Sequence, residues 1–375
     1  MFRKRKRLLE LEGEPQEDLR TGFQGEGSLR RAPPRPLGLC YYTSGWRDAL
    51  AVSIDAAGDG LSSSIYVGRD GELVRIAQST YLDSLGDFYA SVTELLGFKP
   101  MRHEGKVMSL AAYGRPAYDL SSIIGLNGLS FDNHLGLIGG VEATRRLAEL
   151  FNYPLSRARE TALRMKRGGT SGGELQKRAI EIAASAQAHL EKLVGELGLR
   201  LRDRGGLPVA YAGGGVAQNV KANAVLRRIL GDDNLWVFPA MDDGGLAFGA
   251  AVFVKAQFER LDGRWGGPSR LRHVYLGPAY EKGEVEEFLR KEGAEFEEVD
   301  DVPGFVADAL SEGRLVGFVA GGWSSDRGPW VTARSWRTQW KRGVKERLNV
   351  ASGGTSSSPS RLPCSGKKLV STLRT

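Results

Sequence analysis

Apolar and polar positions change period along the chain, and the changes separate a sheet, a helical block and a second set of strands. From Asp48 to Ser79, two apolar runs (Ala49 to Ile54, then Ser64 to Val67) precede the turn Gly68-Arg69-Asp70-Gly71 and a third run from Glu72 to Ala77. Short runs bounded by glycine and aspartate predict a β-meander. Leu82, Leu85, Phe88, Tyr89, Val92, Leu95 and Leu96 then recur at helical spacing, so an amphipathic helix is expected to end near Gly97. Residues 141–165 and 173–204 read as long helices. On the second, Leu175, Ala179, Ile182, Ala186, Leu190, Leu193 and Leu197 form an apolar stripe. Beyond this helical lobe, the strands Leu207 to Ala212 and Leu235 to Phe238 each run into a glycine-rich loop and a helix.

Three of the connections have a composition suited to ligands. Asp55-Ala56-Ala57-Gly58-Asp59-Gly60-Leu61-Ser62-Ser63-Ser64 combines glycines that let backbone N–H groups approach an oxygen, serines that donate, and an aspartate able to hold a metal or its water. An ordinary Gly-rich hairpin turn has the same composition. Gly213-Gly214-Gly215-Val216-Ala217-Gln218-Asn219 joins a strand to a helix, a nucleotide-binding shape, although neither the dinucleotide fingerprint nor the P-loop spacing is present. Pro239 to Ala251 repeats the form with Asp242 and Asp243 at the strand end, where an aspartate either holds a cation or caps the helix. The segment from Arg102 to Gly114 places a cation and a carboxylate ahead of a small-residue helix. Glu104 and Lys106 there read equally as an exposed pair, and His103 as a surface histidine.

Charge and composition narrow the function classes. At 375 residues and 41% hydrophobic, the chain is long enough for one large core or two ordinary ones. Its net charge of +7 suggests nucleic acid until it is located: residues 1–40 carry +3 and residues 322–375 carry +9, which leaves −5 for 41–321. A mildly acidic body argues against nucleic-acid binding, and Arg3-Lys4-Arg5-Lys6-Arg7 reads as a solvated tail. Two cysteines, Cys40 and Cys364, suggest neither a disulfide framework nor a metal knuckle. No apolar run reaches the roughly 18 to 20 residues that cross a bilayer, so no membrane association and a cytoplasmic location are expected.

Taken in order, the Asp-x-x-Gly-Asp hairpin, Glu104-Gly105-Lys106-Val107-Met108-Ser109-Leu110-Ala111-Ala112-Tyr113-Gly114, Ala212 to Asn219, Pro239 to Ala251 and Val274-Tyr275-Leu276-Gly277-Pro278-Ala279-Tyr280 resemble the carbamoyltransferase family, in particular the O-carbamoyltransferases of nodulation and antibiotic tailoring. The resemblance covers about residues 41–321. It implies an α/β fold of the two-lobed actin-like ATPase type with a helical insertion, related to the tRNA threonylcarbamoyl-transfer proteins. It also implies that carbamoyl phosphate and ATP form carbamoyl adenylate on a C-terminal YrdC-like domain, after which the carbamoyl group moves to a hydroxyl of a small-molecule acceptor. Carried over residue by residue, Asp55, Gly58 and Gly60 would lie by the phosphates with Lys106 in the nucleotide site, and Gly213, Gly214, Gly215 and Asn219 by the adenosine. Asp243 would be a ligand of a divalent metal, iron or magnesium, and Asp132 would be the acidic residue near the acceptor, as a general base.

Family members carry a histidine-rich metal motif before the hairpin, whereas residues 1–40 contain no histidine. With suitable synonymous codons, residues 31–40 read one base later can spell Glu-His-His-Arg-Gly-His-Ser-Ala-Ser-Ala. Residues from Gly322, which include four of the seven tryptophans by position 340, can spell in a displaced frame the family's Gly-Pro-Arg-Ala-Leu-Gly motif. The expectation is therefore that both ends are frame-displaced. Residues 1–40 would be an aberrant disordered segment, 41–271 the nucleotide-binding domain, 272–321 the start of the C-terminal region, and 322–375 an aberrant disordered tail lacking the YrdC-like domain. The enzyme as written is expected to be inactive. The alternative function is a catalytically silent adenine-nucleotide-binding or regulatory module.

Overall fold

The computed structural model describes residues 35–318, apart from 135, 137–139, 167–172, 212–213, 242, 274, 276, 278, 313 and 315, together with the strands at 334–336 and 369–371. It opens with helix α1 (Arg35–Ser44) and continues into the meander β1 (Asp48–Gly58), β2 (Leu61–Arg69) and β3 (Glu72–Thr80). Both hairpin turns are Asp-Gly, and Asp59, Gly60, Asp70 and Gly71 all have positive φ. That conformation suits the right-handed twist of the strands it joins. A 3-10 turn (Tyr81–Asp83) leads to α2 (Leu85–Leu95) and α3 (Glu104–Ala111), then to a small hairpin, β4 (Ile124–Asn127) and β5 (Ser130–Asn133). The helical block consists of α4 (Val141–Leu150), α5 (Leu155–Lys166) and the 29-residue α6 (Glu174–Arg202). Residues 141–165 are thus two helices and not one. Pro154 cannot continue a helix and Asn152 adopts φ +47, so the chain turns between them.

After the block come β6 (Val209–Tyr211), α7 (Val220–Leu230), β7 (Leu235–Val237) and α8 (Leu246–Leu261). The five strands form one sheet in the order β3-β2-β1-β6-β7, antiparallel within the meander and parallel from β1 through β6 to β7. Strand alternation gives the sheet two cores. Leu50, Val52, Ile54 and Ile65 face the helices α2, α6 and α7, where Leu85, Val92, Leu190, Leu193 and Leu226 are buried with them. Ala49, Ala51, Tyr66 and Ala210 face α1 and α8, with Leu39, Tyr41 and Phe238. Each fully buried leucine contributes about 1.5–3 kcal/mol. At Gly38, a Cβ would lie 3.3 Å from both Gly249 O and Phe253 Cβ, so glycine lets α1 and α8 pack closely.

Helix α1 differs from the disorder expected up to residue 40: it starts at Arg35, and Leu39 and Cys40 are buried. The mixed α/β class is as expected. Every described strand from β1 to β7 outside the β4–β5 hairpin joins a single sheet. Helices α9 (Lys282–Lys291) and α10 (Val302–Ser311) with β8 (Phe296–Glu298) and β9 (Val316–Phe318) follow. β9 pairs with β10 (Arg334–Trp336), and β8 with β11 (Leu369–Ser371). The remainder of 1–34 and 319–375, on which the frame expectations fall, lies outside the described residues. No helix among the described residues is long and apolar enough to cross a membrane.

Candidate functional site

Because β1, β6 and β7 are parallel, their carboxyl ends share one edge of the sheet, where open α/β sheets bind ligands. Three loops meet there. Asp55 begins the irregular stretch between Ile54 and Gly58, where the β1–β2 register slips. Its Oδ1 accepts from Ala56 N at 2.7 Å and, across 160 residues, from Gly215 N at 3.0 Å. Gly214 N in turn donates to Met241 O at 2.9 Å, which joins the second loop to the third. Gly214 has φ +83 and lies against the Asp55 carboxyl group, so a side chain there would collide with it. Around Gly58, Gly60 and Gly215 nothing lies within 4 Å of where a Cβ would stand. The junction is therefore rigid at Gly214 and open beside it.

A second carboxylate stands at this junction that sequence reasoning missed. Ser84 caps α2 by accepting from Asp87 N at 2.9 Å, and its hydroxyl donates to Ala56 O at 2.6 Å. Gly86 packs on the backbone of Asp55 and Ala56. These contacts seat Asp87 beside Asp55. Burial, and then the negative charge of Asp55, raise the Asp87 pKa above the ordinary aspartate value. The signal available in the sequence was the cap spacing Ser84-x-x-Asp87, which reads as helix initiation and not as chemistry. Burial and then the Asp55 charge also raise the Tyr211 pKa, and the Tyr211 hydroxyl is buried without a hydrogen-bond partner among the described residues.

The serine cluster does not face this junction. Ser62, Ser63 and Ser64 are buried and donate or pair within the sheet, to Thr80 O, Ser79 and Ser53 respectively. Both faces of β2 are covered, so these hydroxyls satisfy the core. Asn219 is buried as the cap of α7. Its Oδ1 accepts from Ala222 N at 3.1 Å and Gln187 Nε2 at 3.0 Å, and its Nδ2 donates back to Gln187 Oε1 at 2.9 Å. It positions the 3-10 turn Gly215–Gln218 and does not offer its side-chain oxygen to a ligand. Lys106 is half-buried in the first turn of α3. Nearby Glu104 accepts from Met101 N and His103 from Lys99 N, so both hold a turn. Asp132 is half-buried on β5, a strand anchored by Phe131 N to Ser79 Oγ at 2.7 Å and by Asn133 Nδ2 to Leu82 O at 2.7 Å. That anchorage ties its hairpin to the turn leading into Ser84. Gly213 lies outside the described residues.

Asp243 is exposed in the 3-10 turn Asp243–Gly245 that opens α8. Among the described residues no three His, Cys, Asp or Glu side chains gather closely enough to share a metal, so these residues do not by themselves fit the expected metal centre. Two helical N-terminal turns, at Gly215 and Asp243, follow the carboxyl ends of β6 and β7; the backbone is open at Gly215, whereas Gly245 packs against Ala240 O. A groove of about 500 Å³ lies along α7, lined by Glu191, Lys221, Ala224, Arg227, Arg228 and Asp232. Its Arg227 is held by both carboxylate oxygens of Asp232.

The sequence profile of the carbamoyltransferase N-terminus matches residues 38–252. An uncharacterized protein of Methanocaldococcus jannaschii is 35% identical over 73% of this chain and 49% of its own length. The nodulation protein NolNO of Sinorhizobium fredii is 30% identical over 76% of this chain and 39% of its own length. For nodulation protein NolO of Bradyrhizobium diazoefficiens the values are 29%, 76% and 48%. The chain thus spans about half the length of the curated relatives it matches.

Proposed function

The chain belongs to the carbamoyltransferase family, and from that premise we propose that it carries the nucleotide-phosphate side of an O-carbamoyl transfer site, on an actin-like lobe. The donors are ATP and carbamoyl phosphate, combined as carbamoyl adenylate, and the acceptor is a small-molecule hydroxyl. The observation that carries this reading is the bond from Gly215 N to Asp55 Oδ1, which joins two of the three loops at the carboxyl edge of the sheet. Gly58 and Gly60 border the phosphates, Gly213 to Gly215 lie by the adenosine, and Lys106 belongs to the same nucleotide site. Asn219 acts through the turn it caps. Asp132 is the proposed base for the acceptor hydroxyl.

Asp243 would offer one carboxylate to a divalent metal, but among the described residues no group of three ligating side chains forms to complete such a site. The metal would supply charge at the phosphates. The chain as written is accordingly proposed to bind adenine nucleotide without transferring a carbamoyl group. Calorimetric titration with ATP, alongside an assay for label passing from carbamoyl phosphate to hydroxyl compounds, tests both statements. The expected result is ATP binding that Gly215→Val weakens by about tenfold or more, since tenfold is only about 1.4 kcal/mol, with no transfer. Folded chain that binds no ATP refutes the site, and transfer by the purified chain refutes the silence.

A further inference from the structure

The groove along α7 carries more positive charge than its own acids neutralise. Lys221, Ala224 and Arg228 follow one another at three and four residues, so they share one face of the helix, with Lys221 and Arg228 on either side of the Ala224 methyl group. Among the described residues neither of these cations has an ion-pair partner. Arg227 differs, because both carboxylate oxygens of Asp232 hold it and the pair is neutral as a unit. Glu191 of α6 lines the same groove. Its Oε1 accepts from Gln187 Nε2 at 2.9 Å. The Gln187 amide is itself fixed, since its Oε1 accepts from Tyr89 Oη at 2.8 Å and its Nε2 donates to Asn219 Oδ1 at 3.0 Å. Glu191 is therefore an oriented acceptor, and its Oε2 has no hydrogen-bond partner among the described residues.

Charge and shape together select a ligand. Lys221 and Arg228 reach from two sides over a floor that is only a methyl group, which leaves room for one tetrahedral anion between them. Their combined charge matches a single phosphate monoester, which carries about −1.5 to −2 at neutral pH. A diphosphate or triphosphate chain would press further negative charge against Glu191 and Asp232. A hydroxyl, by contrast, donates to a carboxylate. The volume of about 500 Å³ is that of a small-molecule site. We propose that the groove binds a phosphate monoester bearing free hydroxyl groups, of the sugar-phosphate class, with its phosphate between Lys221 and Arg228 and a hydroxyl on Glu191. This site is separate from the meeting of Asp55 and Gly215 and requires no nucleotide there.

Titration of the full chain with glucose 6-phosphate in the absence of nucleotide, followed through the backbone amides by NMR, tests the site. The expected result is saturable shifts at Glu191, Lys221, Ala224 and Arg228, with inorganic phosphate bound about tenfold more weakly or worse and glucose without effect. Lys221→Ala and Arg228→Ala should each weaken the sugar phosphate by about tenfold. Glu191→Gln removes a like charge together with the acceptor, so it should tighten inorganic phosphate and narrow its gap to glucose 6-phosphate. Circular dichroism shows that each variant is folded. A folded chain that binds no glucose 6-phosphate overturns the proposal, as does binding indifferent to Lys221→Ala and Arg228→Ala. Inorganic phosphate bound as tightly as the ester overturns the assignment to a hydroxylated ligand. With no ATP present, these outcomes are independent of whether a nucleotide binds at Asp55 and Gly215.

Discussion

The Asp55 carboxylate and the Gly215 amide, 160 residues apart in the chain, meet at 3.0 Å and tie the end of β1 to the turn that precedes α7. Hydrogen bonds to an ionised acceptor contribute about 1.5–3 kcal/mol. Asp55→Ala should therefore lower unfolding stability by about 1–3 kcal/mol. Asp55→Asn keeps an oxygen in place and should lose less than half as much. Chemical denaturation of both variants checks the difference, and equal losses would show that the oxygen is not the tether.

Neighbouring glycines in the same loop should behave oppositely. Gly214 combines φ +83 with contact against Asp55, so Gly214→Ala is expected to cost at least about 2 kcal/mol. Gly215 has open space where a Cβ would stand, and Gly215→Ala should change stability by no more than about 1 kcal/mol. Thermal unfolding of the two variants separates a structural glycine from one that leaves room for a ligand.

The reciprocal amide pair of Gln187 and Asn219 makes a third test. Asn219→Ala removes a helix cap and leaves the Gln187 amide without its buried partner, an expected loss of about 2–4 kcal/mol. A double-mutant cycle with Gln187→Ala should show strong coupling between the two positions. Additive losses would mean that each amide is satisfied independently.

The pKa of Asp87 is raised in the fold by burial and by Asp55. A raised carboxyl contributes stability below its unfolded pKa and loses it as pH rises through the folded value. The stability of Asp87→Asn relative to the unsubstituted protein should therefore increase as pH rises through that range. Replacing Asp55 by Asn should move the Asp87 titration, followed by NMR, back toward the ordinary aspartate range. A titration unmoved by that change would place Asp87 out of reach of Asp55.

Much of this arrangement is legible in the sequence, for stated reasons. The meander, α6 and the two loop-helix units follow from local periodicity, and every stripe position from Ala179 to Leu197 is buried. What local pattern does not encode is which loops meet. Asp55 and Gly215 come together only because β1 and β6 are parallel neighbours, a pairing set by the whole sheet. For the same reason the approach of Asp87 to Asp55 is not encoded locally: it arises only where Ser84, the cap of α2, donates to Ala56 O. The serines at 62–64 misled because their hydroxyls fit phosphate chemistry and strand packing equally well. Pro154 marked the break in residues 141–165, but the apolar period continues across it.

The most direct test is to follow the backbone amides of the isotope-labelled chain by NMR as ATP is added. The expected result is that amides at Ala56 to Leu61, Gly214 to Gln218 and Asp243 to Gly245 shift together and saturate at one concentration. Shifts confined to Lys221, Arg228 and their neighbours in the α7 groove, or none in a folded protein, would contradict a nucleotide site at the meeting of Asp55 and Gly215.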